Sequence, residues 1–285
     1  MSLADKVTVK AHYTRSVNLE RDFQSPELVR SYIPTTRAVQ TLGRMADTLT
    51  ADAMPRAWSL IGPYGADKSS FAAFLTCLLC GPETERAQTA MGVLQRAEIA
   101  LADRYRELQA DTNGHCVVVL IGSPEPMGRR LAQALAGGAV DCWANRSGRR
   151  PRVVGQLQCL AGQERLQASD LLTAVGALQA APAQSGANGL LVVIEELGKF
   201  LEYEARYYGA NDIFLLQALA ERANVAHTAK LTLIVLLRQA MDQYARGLSE
   251  TLRNEWMKVQ GRFETVPFIE TAEQVLRIPS RRLLP

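Results

Sequence analysis

The sequence lacks any long hydrophobic run, and this absence excludes a helical membrane anchor within it. No apolar segment approaches the roughly 20 residues that a helix needs to span a bilayer. The first six residues, Met1 to Lys6, also lack the apolar core of a secretory signal. We therefore expect a cytoplasmic protein with no membrane partner.

Cysteine and histidine are scarce as well. The five cysteines are odd in number and irregularly spaced, which argues against a disulfide framework. Cys77 and Cys80 form a C-x-x-C, but they lie within the apolar stretch 74–80, so packing in a helix is favoured over metal binding. The three histidines are too scattered to predict a metal site: His12, His115 and His227.

Positive charge is not in large excess. A formal net charge of +3 does not by itself indicate a nucleic-acid-binding protein. One basic loop, residues 145–152, contains four arginines, namely Arg146, Arg149, Arg150 and Arg152. A solvated turn is the favoured interpretation, and contact with nucleic acid or a partner is the alternative.

What the sequence does contain is a series of short apolar runs separated by helical patterns. The predicted strands are Ala57–Ile61, Cys116–Ile121, Leu190–Ile194, Leu231–Leu237 and Thr265–Phe268. Continuous apolar strands that alternate with helices predict an α/β fold with a mainly parallel sheet covered on both faces. Helices are predicted at 36–50, 68–79, 84–110, 127–135, 164–180 and 212–224.

A phosphate-binding motif follows the first strand. Gly62-Pro63-Tyr64-Gly65-Ala66-Asp67-Lys68-Ser69 matches G-x-x-x-x-G-K-[ST], except that Asp67 stands at the second glycine. In such a loop, backbone N–H groups wrap phosphates, the lysine reaches the β- and γ-phosphates and the serine hydroxyl ligates Mg²⁺. A glycine-rich turn with an incidental Lys-Ser is the alternative. The predicted nucleotide contacts are Gly62, Pro63, Tyr64, Gly65, Ala66, Asp67, Lys68, Ser69 and Ser70.

Two carboxylates follow the third strand. Glu195 and Glu196 come directly after the apolar run 190–194, at the carboxyl edge where open α/β sheets bind ligands. Glu196 is the predicted catalytic base, and Glu195 is the predicted metal ligand together with Ser69. A pair of surface carboxylates is the alternative. If both motifs form one site, the Lys68 turn must meet the Glu195-Glu196 strand end.

With these motifs in this order, the chain resembles the ATPase core of AAA+ proteins, with Walker A and Walker B motifs. The resemblance implies a P-loop three-layer sandwich with a five-stranded sheet, a helical insertion, and ATP with Mg²⁺ as cofactors. It also implies a polar residue after the fourth strand, for which Arg238 and Gln239 are candidates and Gln239 is the predicted catalytic one. Arg262, in Gln260-Gly261-Arg262-Phe263, resembles an arginine finger that reaches a neighbouring subunit. A homo-oligomer is therefore expected.

The segments 196–203 and 259–264 resemble more narrowly a bacterial group of origin-recognition-type ATP-binding proteins in multi-gene systems of DNA and phage defence. The start of the chain is polar and mixed with little periodicity, so residues 1–30 are predicted to form an N-terminal arm. The resemblance implies an ATPase domain over 31–278, which leaves a tail over 279–285. Three features depart from the family: Asp67, Glu195 in place of aspartate, and too few residues after Phe268 for the usual helical lid.

The sequence is therefore compatible with three functions. The first is an ATPase that couples ATP binding or hydrolysis to remodelling of DNA or a partner protein. The second is a catalytically weakened nucleotide-binding scaffold or regulatory subunit, which Asp67 and Glu195 favour. The third is a DNA-binding module without nucleotide chemistry, resting on the basic loop.

Overall fold

The five predicted strands form one parallel sheet. A computed structural model of the chain describes residues 18–23, 25–50, 55–110, 112–144, 150–163, 166–184, 186–207, 212–225 and 230–269. The strands are β1 Ala57–Ile61, β2 His115–Ile121, β3 Gly189–Glu195, β4 Lys230–Leu237 and β5 Glu264–Pro267. Each predicted strand is confirmed to within one residue at either end. The strand order is β2-β3-β4-β1-β5, and every neighbouring pair is parallel.

Helices cover both faces of this sheet and complete three layers. In chain order they are α1 Leu19–Asp22, α2 Pro26–Arg30, α3 Thr36–Thr50, α4 Lys68–Leu79, α5 Glu85–Ala97, α6 Ile99–Gln109, α7 Met127–Ala144, α8 Arg152–Ala161, α9 Ala168–Gln184, α10 Leu197–Tyr207, α11 Asp212–Ala223, α12 Met241–Tyr244 and α13 Glu250–Gln260. Helices α1–α6 pack on one face and α7–α13 on the other. Alternate strand residues face the two layers, so Val192 packs with α7–α13 and Val193 with α1–α6.

The connections leave the sheet in opposite directions at its centre. The chain after β1 enters the α1–α6 layer, whereas the chain after β3 and after β4 enters the other layer. Because the connections after β1 and β4 diverge, a crevice opens at the carboxyl ends of these strands. This crevice is where the two predicted motifs lie.

The helix predicted over 84–110 is in fact two helices. Glu98 is extended, with φ −157° and ψ 103°, and separates α5 from α6. The break lets both buried faces reach the core, since Leu94 and Leu101 are both buried. Neither glycine nor proline marks this break, so tertiary packing overrides the local helical pattern.

The helix α8 lies where no helix is predicted, within 150–163. Its signal is the buried set Val153, Val154 and Leu157, which share one face at helical spacing. The basic residues Arg150 and Arg152 are exposed at its start. The neighbouring Arg146 and Arg149 lie outside the described residues.

The predicted N-terminal arm is part of the packed fold where it is described. Residues 18–23 and 25–30 contain α1 and α2, which contact α4, and the side chains of Leu19 and Val29 are buried. The predicted tail, and with it every residue from 270 onward, lies outside the described residues, as do His12 and His227. Among the described helices, none has the length and apolar character required to cross a bilayer.

Candidate functional site

The loop between β1 and α4 adopts a geometry that depends on two glycines. A Cβ atom on Gly62 would lie 2.3 Å from the carbonyl oxygen of Phe268, so only glycine fits where this loop passes the end of β5. Gly65 has φ +77°, in the left-handed region that favours glycine. The loop then delivers its chain to the N-terminus of α4, a 12-residue helix.

Asp67 occupies the strained position of this loop. Its backbone lies in the left-handed region, with φ 53° and ψ 17°, and its side chain makes no capping hydrogen bond to α4. Aspartate tolerates this conformation better than most residues but less well than glycine. The left-handed backbone explains why the motif has glycine at this position. Asp67 can adopt the same backbone conformation, so its main difference from glycine is its negative charge.

Lys68 turns back over the loop. Its Nζ donates to the carbonyl oxygens of Gly62 at 2.6 Å and Pro63 at 2.8 Å. Burial lowers the pKa of Lys68, and the nearby charge of Glu195 opposes this effect. The ammonium group is thus held at the centre of the loop.

Glu195 joins the loop to the end of β3. The hydroxyl of Ser69 donates to its Oε1, and the backbone N–H of Leu19 donates to its Oε2 at 3.2 Å. Burial raises the pKa of Glu195, and the hydrogen bonds from Ser69 and Leu19 oppose that rise. The two predicted motifs therefore meet directly through Ser69 and Glu195.

Glu196 lies between two cations. Its backbone is left-handed, with φ 51°, and turns the chain from β3 into α10. Its carboxylate pairs with Lys199, one turn along α10, and with Arg238 at 3.4 Å. The guanidinium of Arg238 also stacks on the ring of Tyr64, 3.6 Å from its centroid. Because β4 lies between β1 and β3, its end brings Arg238 between the two motifs.

These groups line one cavity of about 990 Å³, at the upper end of the range for small-molecule sites. The motif residues on its wall are Tyr64, Gly65, Ala66, Asp67, Lys68, Ser69, Ser70, Glu195 and Glu196. Residues from the N-terminal segment form another part of the wall, namely Asn18, Arg21, Leu28, Ser31 and Tyr32. Gly62 and Pro63 contribute through their carbonyl groups to Lys68.

Comparisons with known proteins identify no family for the chain. No family model matches it, and no curated protein matches it. Among solved structures, it is similar to the ORC1 protein of Aeropyrum pernix in complex with DNA, with 16% identity and a TM-score of 0.43. That match covers 91% of this chain and 52% of the other, so the chain spans about half the length of the solved protein. A TM-score of 0.43 is too low to establish a common fold.

Four of the predicted site residues do not line the cavity, namely Gly62, Pro63, Gln239 and Arg262. Arg238 lines it, whereas the neighbouring Gln239, the predicted catalytic residue, does not. Of the two candidates after the fourth strand, Arg238 is therefore the one on the cavity wall, and a catalytic role of Gln239 stays a prediction. Arg262 lies just before the amino end of β5, whereas the cavity lies at the carboxyl ends of the strands. Its Nε donates to Glu221 at 2.6 Å.

The donor set of the cavity suits magnesium bound with a nucleotide. Ser69 and Glu195 offer a hydroxyl and a carboxylate, the hard oxygen ligands that Mg²⁺ prefers. Within the part of the chain that the structure describes, no group of three or more His, Cys, Asp or Glu side chains could hold a metal alone. Mg²⁺ at such sites takes one or two protein oxygens and completes its shell with phosphates and water.

The sequence patterns did not predict several residues of this site. Lys199 could have been found, since it lies in the first helical turn after Glu196 and three residues apart is contact spacing on a helix. Leu19 could not, because 176 residues separate it from Glu195. Only the fold brings the N-terminal segment to the carboxylates.

Proposed function

We propose that this chain is a cytoplasmic ATP-binding protein of the AAA+ kind, with a P-loop site that takes ATP and Mg²⁺. The observation that carries the proposal is the direct contact between Ser69, in the first turn of α4, and Glu195, at the end of β3. A loop of backbone N–H groups, a lysine, a hydroxyl and two carboxylates then face one cavity. This set matches the needs of a triphosphate and its metal.

Each side chain has a role in this proposal. Lys68 exchanges the carbonyls of Gly62 and Pro63 for phosphate oxygens, and α4 directs its N-terminus at the phosphates. Ser69 and Glu195 would hold the metal, which would supply positive charge beside the phosphates. Glu196 orients and polarises the attacking water as a general base.

Two cations pair with the carboxylate of Glu196, the proposed base. In the structure Lys199 and Arg238 both contact its carboxylate. An incoming triphosphate competes for the same cations, so nucleotide binding would release Glu196 to accept a proton from water. Arg238 would then stabilise negative charge on the terminal phosphate.

The proposal extends to what nucleotide binding would drive. ATP binding or hydrolysis would drive remodelling of DNA or of a partner protein, within a DNA-defence system of the kind that the sequence resembles. Arg262 is exposed in part and lies away from its own cavity, a location that supports action on the site of a second copy. The chain would then work as a homo-oligomer.

The alternative function is a nucleotide-binding scaffold or regulatory subunit with little turnover. Asp67 favours it, because a carboxylate lines the cavity where phosphates would bind. The two functions share the fold and the site and differ in catalytic rate.

Glu196→Gln separates them. Glutamine keeps the size of the side chain but cannot accept a proton, so we expect ATP turnover to fall by about 10²–10⁴-fold. ATP affinity should not fall, because Lys199 and Arg238 lose their carboxylate partner and become available to the phosphates. Glu202→Gln is the matched control, since Glu202 lies on the same cavity wall and has no assigned role. Equal turnover in the native chain and Glu196→Gln would refute the role of Glu196. Binding without turnover in the native chain would favour the scaffold.

A further inference from the structure

The short helix α1 contacts the predicted metal carboxylate directly. The backbone N–H of Leu19 donates to Oε2 of Glu195 at 3.2 Å, while Ser69 donates to Oε1. Glu195 is only 6% exposed, so these two donors define its surroundings. One of them belongs to the loop motif and the other lies far away in the sequence.

Several contacts fix the position of the Leu19 donor. The Leu19 side chain is fully buried, and Asn18 caps α1 by accepting the N–H of Arg21 at 3.0 Å. On the next residue, Glu20 accepts the N–H of Ile121 at 2.9 Å and pairs with Arg130 at 3.0 Å. These contacts tie α1 to the end of β2 and to α7, beside Glu195.

The arrangement places a glutamate where aspartate is expected. The Glu195 carboxylate contacts both α4, through Ser69, and α1, through Leu19, and its side chain is one methylene longer than that of aspartate. With both oxygens engaged, the longer side chain loses the rotational freedom that would otherwise weaken it as a ligand.

We propose that α1 is a positioning element for the metal site, and that the Leu19 N–H fixes the Glu195 carboxylate in the orientation that binds Mg²⁺ with the nucleotide. The inference rests on the proposed function of this cavity. Hydrogen-bond partners of metal ligands typically change metal affinity by about 10–100-fold when they are removed. Leu19 is thus a positioning residue that acts through its backbone.

Leu19→Pro removes this single donor. Leu19 is the first residue of α1, where proline is favoured, and Asn18 before it has φ −111° and ψ 109°, the extended conformation that precedes proline. Leu19→Ala is the matched control, because it also removes buried side-chain atoms but keeps the N–H. The difference between the two variants therefore reports the hydrogen bond.

The readout is metal affinity rather than activity. Mn²⁺ replaces Mg²⁺, and its binding to the full chain with a non-hydrolysable ATP analogue is measured by electron paramagnetic resonance. We expect Leu19→Pro to bind Mn²⁺ about 10–100-fold more weakly than Leu19→Ala. Affinity for the analogue without metal should be equal in both.

The same pair of variants in a Glu195→Asp chain tests whether Leu19 acts on the metal through Glu195. Glu195→Asp shortens the side chain so that it no longer reaches Leu19, and in this background Leu19→Pro and Leu19→Ala should bind Mn²⁺ equally. If Leu19→Pro does not fold, Glu20→Ala replaces it. That variant removes the contacts of α1 with Ile121 of β2 and Arg130 of α7. It should weaken Mn²⁺ binding in the native chain but have no effect in the Glu195→Asp chain.

Two outcomes would overturn the inference itself, and a third would refute the function on which it rests. Equal Mn²⁺ affinity of Leu19→Pro and Leu19→Ala would show that the contact has no effect on the metal. Tighter Mn²⁺ binding by Leu19→Pro would make α1 an inhibitor of the site. Absence of nucleotide binding in every variant, the native chain included, would instead refute the proposed function itself.

Discussion

Replacing Asp67 tests whether one carboxylate limits nucleotide affinity. Four basic and four acidic side chains line the cavity: Arg21, Lys68, Lys199 and Arg238 against Asp67, Glu195, Glu196 and Glu202. Their formal charges cancel, which is unfavourable for a site that must attract a triphosphate. Asp67→Gly and Asp67→Asn both leave the cavity with a net positive charge.

The magnitude follows from Coulomb's law. A unit charge 4–8 Å from a phosphate charge is repelled by about 2–4 kcal/mol at an effective dielectric near 20. Because Asp67 is half-buried and adjoins Lys68, screening reduces this to about 1–2 kcal/mol, equivalent to about 5- to 30-fold in Kd. The conformational contribution is smaller, since left-handed aspartate costs less than about 1–2 kcal/mol.

Isothermal titration with ATP, ADP and AMP measures the effect. We expect both variants to bind ATP about 5- to 30-fold more tightly than the native chain, with a smaller gain for ADP and the least for AMP. Asp67→Asn tolerates the left-handed backbone, so equal gains in both variants would identify charge as the cause. A gain in Asp67→Gly alone would identify strain, and no gain in either would refute the electrostatic reasoning.

Three further predictions concern other parts of the molecule. Arg262→Ala should reduce turnover by about 10³-fold or more with ATP affinity unchanged, whereas Glu221→Ala, which breaks the same exposed ion pair, should leave turnover intact in a steady-state assay. Burial raises the pKa of Asp212 from 3.8 to about 7. Between these values the folded state binds a proton that the unfolded state does not, so the free energy of unfolding should fall as pH rises from about 4 to 7. In urea denaturation, Asp212→Asn should make the free energy of unfolding less dependent on pH. Gly62→Ala should lower the free energy of unfolding by about 1–3 kcal/mol, because its Cβ meets a backbone carbonyl at 2.3 Å. Gly137→Ala, where a Cβ meets nothing within 4 Å, is the control.

The central sheet and the loop before α4 could be predicted because their signals are local. Buried parallel strands are continuous apolar runs, and the strands lie where such runs lie. The helix that begins at Lys68 is likewise where its pattern places it. Motif spacing then identifies Lys68, Ser69, Glu195 and Glu196 without knowledge of the fold.

The remaining features depend on contacts between distant segments. The extended conformation of Glu98 follows from packing of two helices on the core, and no local residue type signals it. The choice between Arg238 and Gln239 depends on the direction in which β4 ends. The contact of Leu19 with Glu195 depends on how the N-terminal segment crosses the sheet edge.

The affinity for ATP with Mg²⁺ tests most directly whether a triphosphate binds between the Lys68 loop and the Glu195-Glu196 strand end. It is measured by titration calorimetry for the native chain, for Lys68→Ala and for Lys258→Ala, which replaces an exposed lysine on α13. We predict that Lys68→Ala loses at least tenfold in affinity, since it removes a charge-assisted contact worth about 1.5–3 kcal/mol, while Lys258→Ala binds as the native chain does. Equal affinity of Lys68→Ala and the native chain would contradict the account.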